Sequence, residues 1–256
     1  MLSFVDHPAT GPVDRPTLII AHGLFGSARN WGVIARRLAD RRRVVAVDMR
    51  NHGSSPWFST QSYAEMAADL ADVIEAVGGP VDMLGHSMGG KATMQLALTD
   101  GTLLRRLVVA DIAPVAYSHD QSQHIRAMRG LEVNGLTRRS EADARLAMVV
   151  PDAALRAFFL QSLDVKATPI VWRINLDVLE AEMAKIVGWP GTGGQFDGRV
   201  LFLTGSESPY VKAEDRPTIV ARFPHARFAK LNGAGHWLHA EQPREFEETV
   251  RLFLDA

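Results

Sequence analysis

The sequence predicts an α/β protein with a mainly parallel sheet flanked by helices. Short apolar runs of strand length alternate with helical patterns along the first half of the chain and again near its carboxyl end. A helix between two strands acts as a crossover, and crossovers place the strands parallel. The length of 256 residues is sufficient for one large domain with a sizeable core and an insertion.

Each predicted element follows from a local pattern. Thr17–Ala21 and Val44–Val47 are apolar runs typical of buried strands. Ser62 precedes Glu65 by three residues, as in a capping box, and begins a helix that ends at Gly78-Gly79-Pro80. The same criteria predict further strands and helices: strands Val81–Leu84, Leu107–Ala110, Arg199–Leu203 and Arg227–Leu231, and helices Gly89–Leu98 and Pro243–Leu254.

Residues 114–195 interrupt this alternation. Strand patterns disappear there, and Gly191-Thr192-Gly193-Gly194 forms a flexible joint at the end of the segment. Helical patterns cover Gln121–Leu131, Glu141–Val149, Ala153–Leu163 and Leu176–Val187. The sequence therefore predicts a core formed by residues 1–113 and 196–256, interrupted by a helical insertion over 114–195.

Composition excludes several classes of function. The chain has no cysteine, so disulfides, thiolate metal sites and a cysteine nucleophile are ruled out. A net charge of −1 provides no general attraction to nucleic acid, and no apolar run approaches the roughly 20 residues of a membrane span. The amino terminus lacks a signal-peptide pattern. We expect a cytoplasmic protein that acts on a small molecule, without a nucleic-acid partner; its oligomeric state is left open.

The sharpest motif is Gly85-His86-Ser87-Met88-Gly89, which fits G-x-S-x-G between a predicted strand and a predicted helix. A turn this tight strains the backbone of its serine, and flanking glycines leave room for the bend. The hydroxyl is then exposed at the carboxyl edge of the sheet. Ser87 is therefore the candidate nucleophile.

A serine hydroxyl needs a base to accept its proton. His236 follows the flexible Gly233-Ala234-Gly235 after the last predicted strand, and the chain order serine, acid, histidine is typical of this architecture. His239 is its rival, whereas His86 is expected to pack away from the serine. Four further histidines are expected to be exposed or in loops: His7, His119, His124 and His225.

The segment His22-Gly23-Leu24-Phe25-Gly26 follows the first long strand. Such loops can donate a backbone N–H to a developing oxyanion, together with the N–H of the residue after the nucleophile. We predict that Leu24 and Met88 are the two donors, with Phe25 as the alternative to Leu24. His22 is predicted to have a structural role within the loop.

These segments together resemble the α/β-hydrolase superfamily over nearly the whole chain. The motifs HGLFGS, DMRNHG, GHSMGGKA, ADIAPVAY and GAGHWLHAEQP are similar to those of the YbfF-type bacterial esterases and their mitochondrial abhydrolase relatives, and Asn51 and Lys91 favour this narrower group. The resemblance implies an α/β-hydrolase fold with a helical cap inserted after the sixth strand. It also implies hydrolysis of carboxylic esters, with acyl-coenzyme A thioesters as an open second class, and no metal or organic cofactor.

The acid that would orient the histidine is left open among three carboxylates. The superfamily often places an aspartate at the end of a Gly-x-x-Asp loop, but here Ser208 stands in that position after Gly205. Asp111, at the end of the strand beside the predicted elbow, is the favoured candidate. Glu207 in the late loop and Asp177 in the insertion are the alternatives.

Aromatic residues are candidates for an apolar acyl pocket, although such residues more often form ordinary core. They are Phe25, Phe158, Phe159, Trp172 and Trp237. A helical insertion at this point would form a roof over the site, and an apolar lining would favour a hydrophobic acyl chain.

Two other functions are compatible with the same motifs. A carbon–carbon bond hydrolase or lyase would act on an acidic substrate and need arginines in its pocket, for which Arg126, Arg129 and Arg173 are candidates. A non-catalytic ligand receptor could also retain the fold, since fold alone does not determine function. The serine, histidine and oxyanion loop together favour chemistry.

Overall fold

The computed structural model describes residues 1–118 and 120–256. Its strands are β1 (Phe4–His7), β2 (Leu18–Ala21), β3 (Val44–Val47), β4 (Val81–His86), β5 (Leu104–Ala110), β6 (Leu163–Asp164), β7 (Val171–Trp172), β8 (Arg199–Gly205) and β9 (Ala226–Leu231). Seven of them form one sheet in the order β1-β3-β2-β4-β5-β8-β9. β1 pairs antiparallel with β3, and every other neighbouring pair in this sheet is parallel. The mainly parallel sheet is confirmed.

The helices are α1 (Gly32–Leu38), α2 (Tyr63–Val77), α3 (Met88–Thr99), α4 (Ser122–Arg129), α5 (Arg139–Leu146), α6 (Ala153–Leu160), α7 (Leu176–Ala181), α8 (Met183–Val187), α9 (Arg216–Arg222), α10 (Leu238–Glu241) and α11 (Pro243–Asp255). The predicted capping box begins α2: the Glu65 N–H donates to Ser62 Oγ, and Glu65 Oε2 accepts the Ser62 N–H at 3.0 Å. In the described ranges, no helix is both long enough and apolar enough to cross a membrane.

Helices cover both faces of the sheet and bury two apolar clusters. Because successive strand residues point to opposite faces, Ile19 joins the cluster packed by α2 and α3, whereas Leu18 joins the cluster packed by α1 and α11. The central strands are buried on both sides, which explains why they appear in the sequence as continuous apolar runs. β1 was not predicted because it is a half-exposed edge strand, Phe4-Val5-Asp6-His7, without such a run. His7 is accordingly half-buried in a strand rather than in a loop.

The insertion comprises α4 to α8 and a short antiparallel pairing of β6 with β7. It follows β5, so it comes after the fifth strand and not after the sixth as predicted, since the described residues before position 114 form only the five strands β1 to β5. Two-residue strands are too short to leave a periodic pattern, so β6 and β7 were not predicted. The predicted helix over residues 176–187 divides at Glu182.

Asn51 joins the insertion to the rest of the chain. Its carbonyl oxygen accepts the Asn175 N–H at 2.9 Å, and its side-chain oxygen accepts the Asn175 amide at 3.1 Å. Asn51 has a positive φ of 64°, a conformation that asparagine tolerates better than most residues. This residue therefore combines a tight turn with a docking contact.

Candidate active site

The backbone at Ser87 forms the predicted sharp turn between β4 and α3. Ser87 has φ 52° and ψ −118°, a strained conformation for a residue with a side chain. A Cβ at Gly85 would lie 2.5 Å from the carbonyl oxygen of Gly89, and a Cβ at Gly89 would lie 2.3 Å from that of Ala21. Neighbouring backbone therefore leaves no room for a side chain at either glycine of the motif. The turn also leaves Ser87 facing a cavity.

Three distant side chains meet at this turn. The Ser87 hydroxyl lies 3.0 Å from His236 Nε2, within hydrogen-bond reach. The other ring nitrogen, Nδ1, lies 2.7 Å from Asp111 Oδ2. The resulting chain from hydroxyl to imidazole to carboxylate has the geometry in which a base can take the serine proton while a carboxylate orients the base.

Asp111 is completely buried at the end of β5. Its Oδ1 accepts the Gly205 N–H at 3.1 Å, and the Ser208 hydroxyl donates to the same Oδ2 that faces His236. Ser208 thus occupies the superfamily's usual acid position and bonds the acid that comes from the neighbouring strand. Asp111 itself has a positive φ of 53°, a conformation that aspartate adopts more readily than most residues do.

The other two carboxylates considered from the sequence lie elsewhere. Asp177 forms a salt bridge with Arg129, and its side chain is 89% exposed. Glu207 is exposed beside Ser208. His236 Nδ1 bonds neither of them.

Neighbouring rings hold the His236 imidazole in place. The ring of Tyr210 stacks on it with centroids 3.8 Å apart and planes 15° apart. His86 Nε2–H donates to the His236 carbonyl oxygen at 2.8 Å, so His86 braces the loop, as a packing role predicts. His239, the rival base, stacks instead on Trp31 with centroids 4.1 Å apart.

The first loop and the start of α3 each present one unused backbone donor beside the serine, at Leu24 and at Met88. The Phe25 N–H is already engaged, because it donates to His52 Nε2 at 3.2 Å. Among the hydrogen bonds of the described residues, none uses the N–H of Leu24 or of Met88. Leu24 rather than Phe25 is therefore the available donor in this loop.

Two neutral histidines support that loop. His22 Nδ1–H donates to the Gly23 carbonyl oxygen, and His22 Nε2 accepts the Met49 N–H at 2.9 Å. His52 Nδ1–H similarly donates to the Arg50 carbonyl oxygen, while its Nε2 accepts from the loop. Each ring must donate at one nitrogen and accept at the other, which only the neutral form can do. Burial lowers the pKa of His22 to about 4 and that of His52 to about 3.

These buried rings predict a loss of stability in mild acid. Burial also lowers the pKa of His239 to about 3 and that of His86 well below 6.5. The unfolded chain then takes up protons first, so each ring reduces the free energy of unfolding by about 1.4 kcal/mol per pH unit below 6.5. Urea unfolding between pH 7 and pH 5 should show a steep fall in midpoint.

The matched variants for that measurement are His52→Gln and His225→Gln. His225 is exposed, so its replacement should leave the pH dependence unchanged, whereas His52→Gln should make it shallower. A wild-type midpoint that stays constant over this pH range would contradict the assignment of neutral buried rings.

The cavity above Ser87 has a volume of about 270 Å³. Four of the five predicted aromatic residues line it: Phe25, Phe158, Phe159 and Trp237. Trp172 does not line this cavity, because it lies on β7, paired with Leu163. Sequence reasoning missed His124 and Gln121, which line the cavity from the segment around α4. A half-buried histidine on a short amphipathic helix carries no distinctive sequence signal.

The arginines proposed for an acidic substrate lie outside this cavity. Arg129 pairs with Asp177 and Glu180, and Arg173 pairs with Asp164. Arg126 is exposed on α4. Among the residues that the structure describes, none that lines the cavity carries the guanidinium group that the alternative chemistry would require.

A family model, described as the alpha/beta hydrolase family, matches residues 18–249. The chain belongs to this family. The chain is 37% identical over 253 residues to the sn-1-specific diacylglycerol lipase ABHD11 of Mus musculus, covering 95% of this chain and 82% of the relative. It is 37% identical over 240 residues to the esterase YbfF of Escherichia coli (strain K12), covering 93% and 92%.

A solved structure described as a marine microorganism esterase superposes on this α/β hydrolase with a TM-score of 0.92. The two chains are 34% identical, and the match covers 98% of each. The predicted resemblance to YbfF-type esterases and their mitochondrial abhydrolase relatives is therefore confirmed at the level of both sequence and fold.

Proposed function

We propose that this α/β hydrolase is a serine hydrolase that cleaves carboxylic esters through an acyl-enzyme intermediate. The observation that carries the proposal is the hydrogen-bonded chain from Ser87 through His236 to Asp111 at the floor of an open cavity. The names of the similar proteins, an esterase, a lipase and a marine esterase, favour the same chemistry.

In the proposed reaction, Ser87 Oγ attacks the ester carbonyl as its proton moves to His236 Nε2. The N–H groups of Leu24 and Met88 then bind the oxyanion, each contributing about 2.7–4 kcal/mol to the transition state. His236 gives the proton to the leaving alcohol, and water activated by the same ring releases the acid. Asp111 holds the Nδ1–H tautomer and stabilises the imidazolium.

The cavity supports an apolar acyl or alcohol group as the preferred substrate portion. Phe158 and Phe159 lie on α6, and Trp237 approaches Phe158 with ring centroids 5.8 Å apart. We assign residues 114–195 as a cap over the core of residues 1–113 and 196–256, because α4, α6 and α8 all contribute lining residues. Acyl-coenzyme A thioesters belong to the proposal as a second substrate class, since the same steps break a thioester.

A substrate panel tests this proposal. We expect turnover of p-nitrophenyl esters of apolar acids, and of acyl-coenzyme A thioesters of matched acyl length, with negligible turnover of acidic diketones. A fluorophosphonate probe should label wild-type protein at Ser87. Folded protein that is neither labelled nor active on any ester would indicate a ligand receptor, and preferential turnover of the diketones would indicate a carbon–carbon bond hydrolase.

A further inference from the structure

Lys91 is a buried cation for which the proposed ester hydrolysis has no role. It lies four residues after Ser87 on α3, is 1% exposed and lines the same cavity as the serine. No carboxylate of the described residues pairs with it. Burial lowers the pKa of its ammonium group to about 7, so retaining the proton there requires compensating contacts.

The compensating contacts come from the last turn of the cap helix α8. Lys91 Nζ donates to the carbonyl oxygen of Val187 at 3.0 Å and to that of Gly188 at 2.6 Å. Its ammonium also lies 4.6 Å from the ring centroid of Tyr117 and 5.6 Å from that of Tyr63. The last carbonyls of a helix have no partner within the helix, so a buried helix end needs donors of this kind.

Two more donors bind the same turn, one from the core and one from the start of the insertion. The Tyr63 hydroxyl, at the start of α2, donates to the carbonyl oxygen of Ile186 at 2.5 Å. The Tyr117 N–H donates to the carbonyl oxygen of Val187 at 2.9 Å. We call Tyr63, Lys91 and Tyr117 the α8 latch, since all three hold consecutive carbonyls just before the joint at residues 191–194.

The latch is part of the wall of the substrate cavity. Its three members line the cavity, and so do Ile186 and Val187 on the segment that they hold. The position of α8 therefore limits how far the cavity extends on the side that Ile186 and Val187 line. Releasing the last turn of α8 would lengthen the cavity without touching the serine, the imidazole or the acid.

We propose that Lys91 is a specificity-determining residue that holds α8 as part of the wall of the cavity and thereby limits the length of the substrate chain. This inference rests on the proposed esterase function. If this is so, removing the Lys91 ammonium group should relax the limit on the length of the substrate chain. If Lys91 were purely structural, its replacement would change the activity on esters of every length by the same factor.

The test compares kcat/KM for p-nitrophenyl decanoate with kcat/KM for p-nitrophenyl butyrate. In Lys91→Met, which keeps the aliphatic stem but removes the donor, we expect the decanoate-to-butyrate ratio to rise about tenfold, comparable with the smaller effects of one methylene in an apolar pocket. Tyr63→Phe removes one bond to the same turn and should raise the ratio by a smaller factor. Lys185→Met is the matched control, because Lys185 is an exposed lysine on α8 that pairs with Glu182.

An unchanged ratio in folded Lys91→Met and Tyr63→Phe, or an equal loss of activity on both esters, would overturn the inference. If Lys91→Met does not fold, as judged by its thermal transition, the ratio in Tyr63→Phe decides. A wild-type protein inactive on both esters overturns the proposed function itself, whereas an active wild type with unchanged ratios in the variants overturns only the role of Lys91.

Discussion

Replacing Ser87 with alanine is expected to lower kcat for a p-nitrophenyl ester by about a million-fold, as loss of a serine nucleophile can do. The expectation follows from geometry, since the hydroxyl is the group that lies 3.0 Å from His236 Nε2 and faces the cavity. Residual catalysis would come from the oxyanion donors and from substrate binding, which together can exceed the rate in water by about a thousand-fold or more.

The Ser87→Ala variant should remain folded. Alanine has the same Cβ as serine and adds no atom to the turn, and Gly85 and Gly89 are unchanged. Its thermal transition and its circular dichroism spectrum check this point. Loss of fluorophosphonate labelling should accompany the loss of turnover. Retention of a tenth of the wild-type rate by folded Ser87→Ala would refute the assignment of Ser87 as nucleophile.

The second large effect is expected for Asp111→Asn, with a loss of about ten-thousand-fold in kcat. An asparagine at this position has the same shape and tolerates the positive φ of 53°. Its amide nitrogen, however, cannot accept the His236 Nδ1–H, so the ring would adopt the wrong tautomer for taking the serine proton. The loss should therefore appear in kcat for every ester.

Glu207→Gln is the matched control for the acid. Glu207 is exposed, two residues from Gly205 in the loop where related sequences often place their aspartate. We expect wild-type activity from this variant. Full activity in Asp111→Asn, or a large loss in Glu207→Gln, would reverse the assignment.

The fold and the family could be predicted from local patterns. Runs such as Val44–Val47 are buried on both faces of a parallel sheet, so their burial appears directly in the sequence. The turn at Ser87 also leaves a local signal in the sequence. Close backbone contacts exclude any side chain at Gly85 and Gly89, so the motif keeps a glycine at both positions. The edge strand β1 and the two-residue strands β6 and β7 were missed, since neither half-exposure nor a length of two residues leaves a periodic signal.

The order of residues alone determined the candidate nucleophile, the candidate base and the class of the fold, because each depends on short local patterns and on the order in which those patterns follow one another along the chain. Tertiary contacts decided the rest, and the residues that they join lie from 27 positions apart, for Phe25 and His52, to 125 positions apart, for Asp111 and His236. They selected Asp111 among three carboxylates, engaged the Phe25 N–H with His52, removed Trp172 from the cavity and placed Lys91 beneath α8. Such choices depend on which elements pack side by side, and local sequence patterns do not encode that packing.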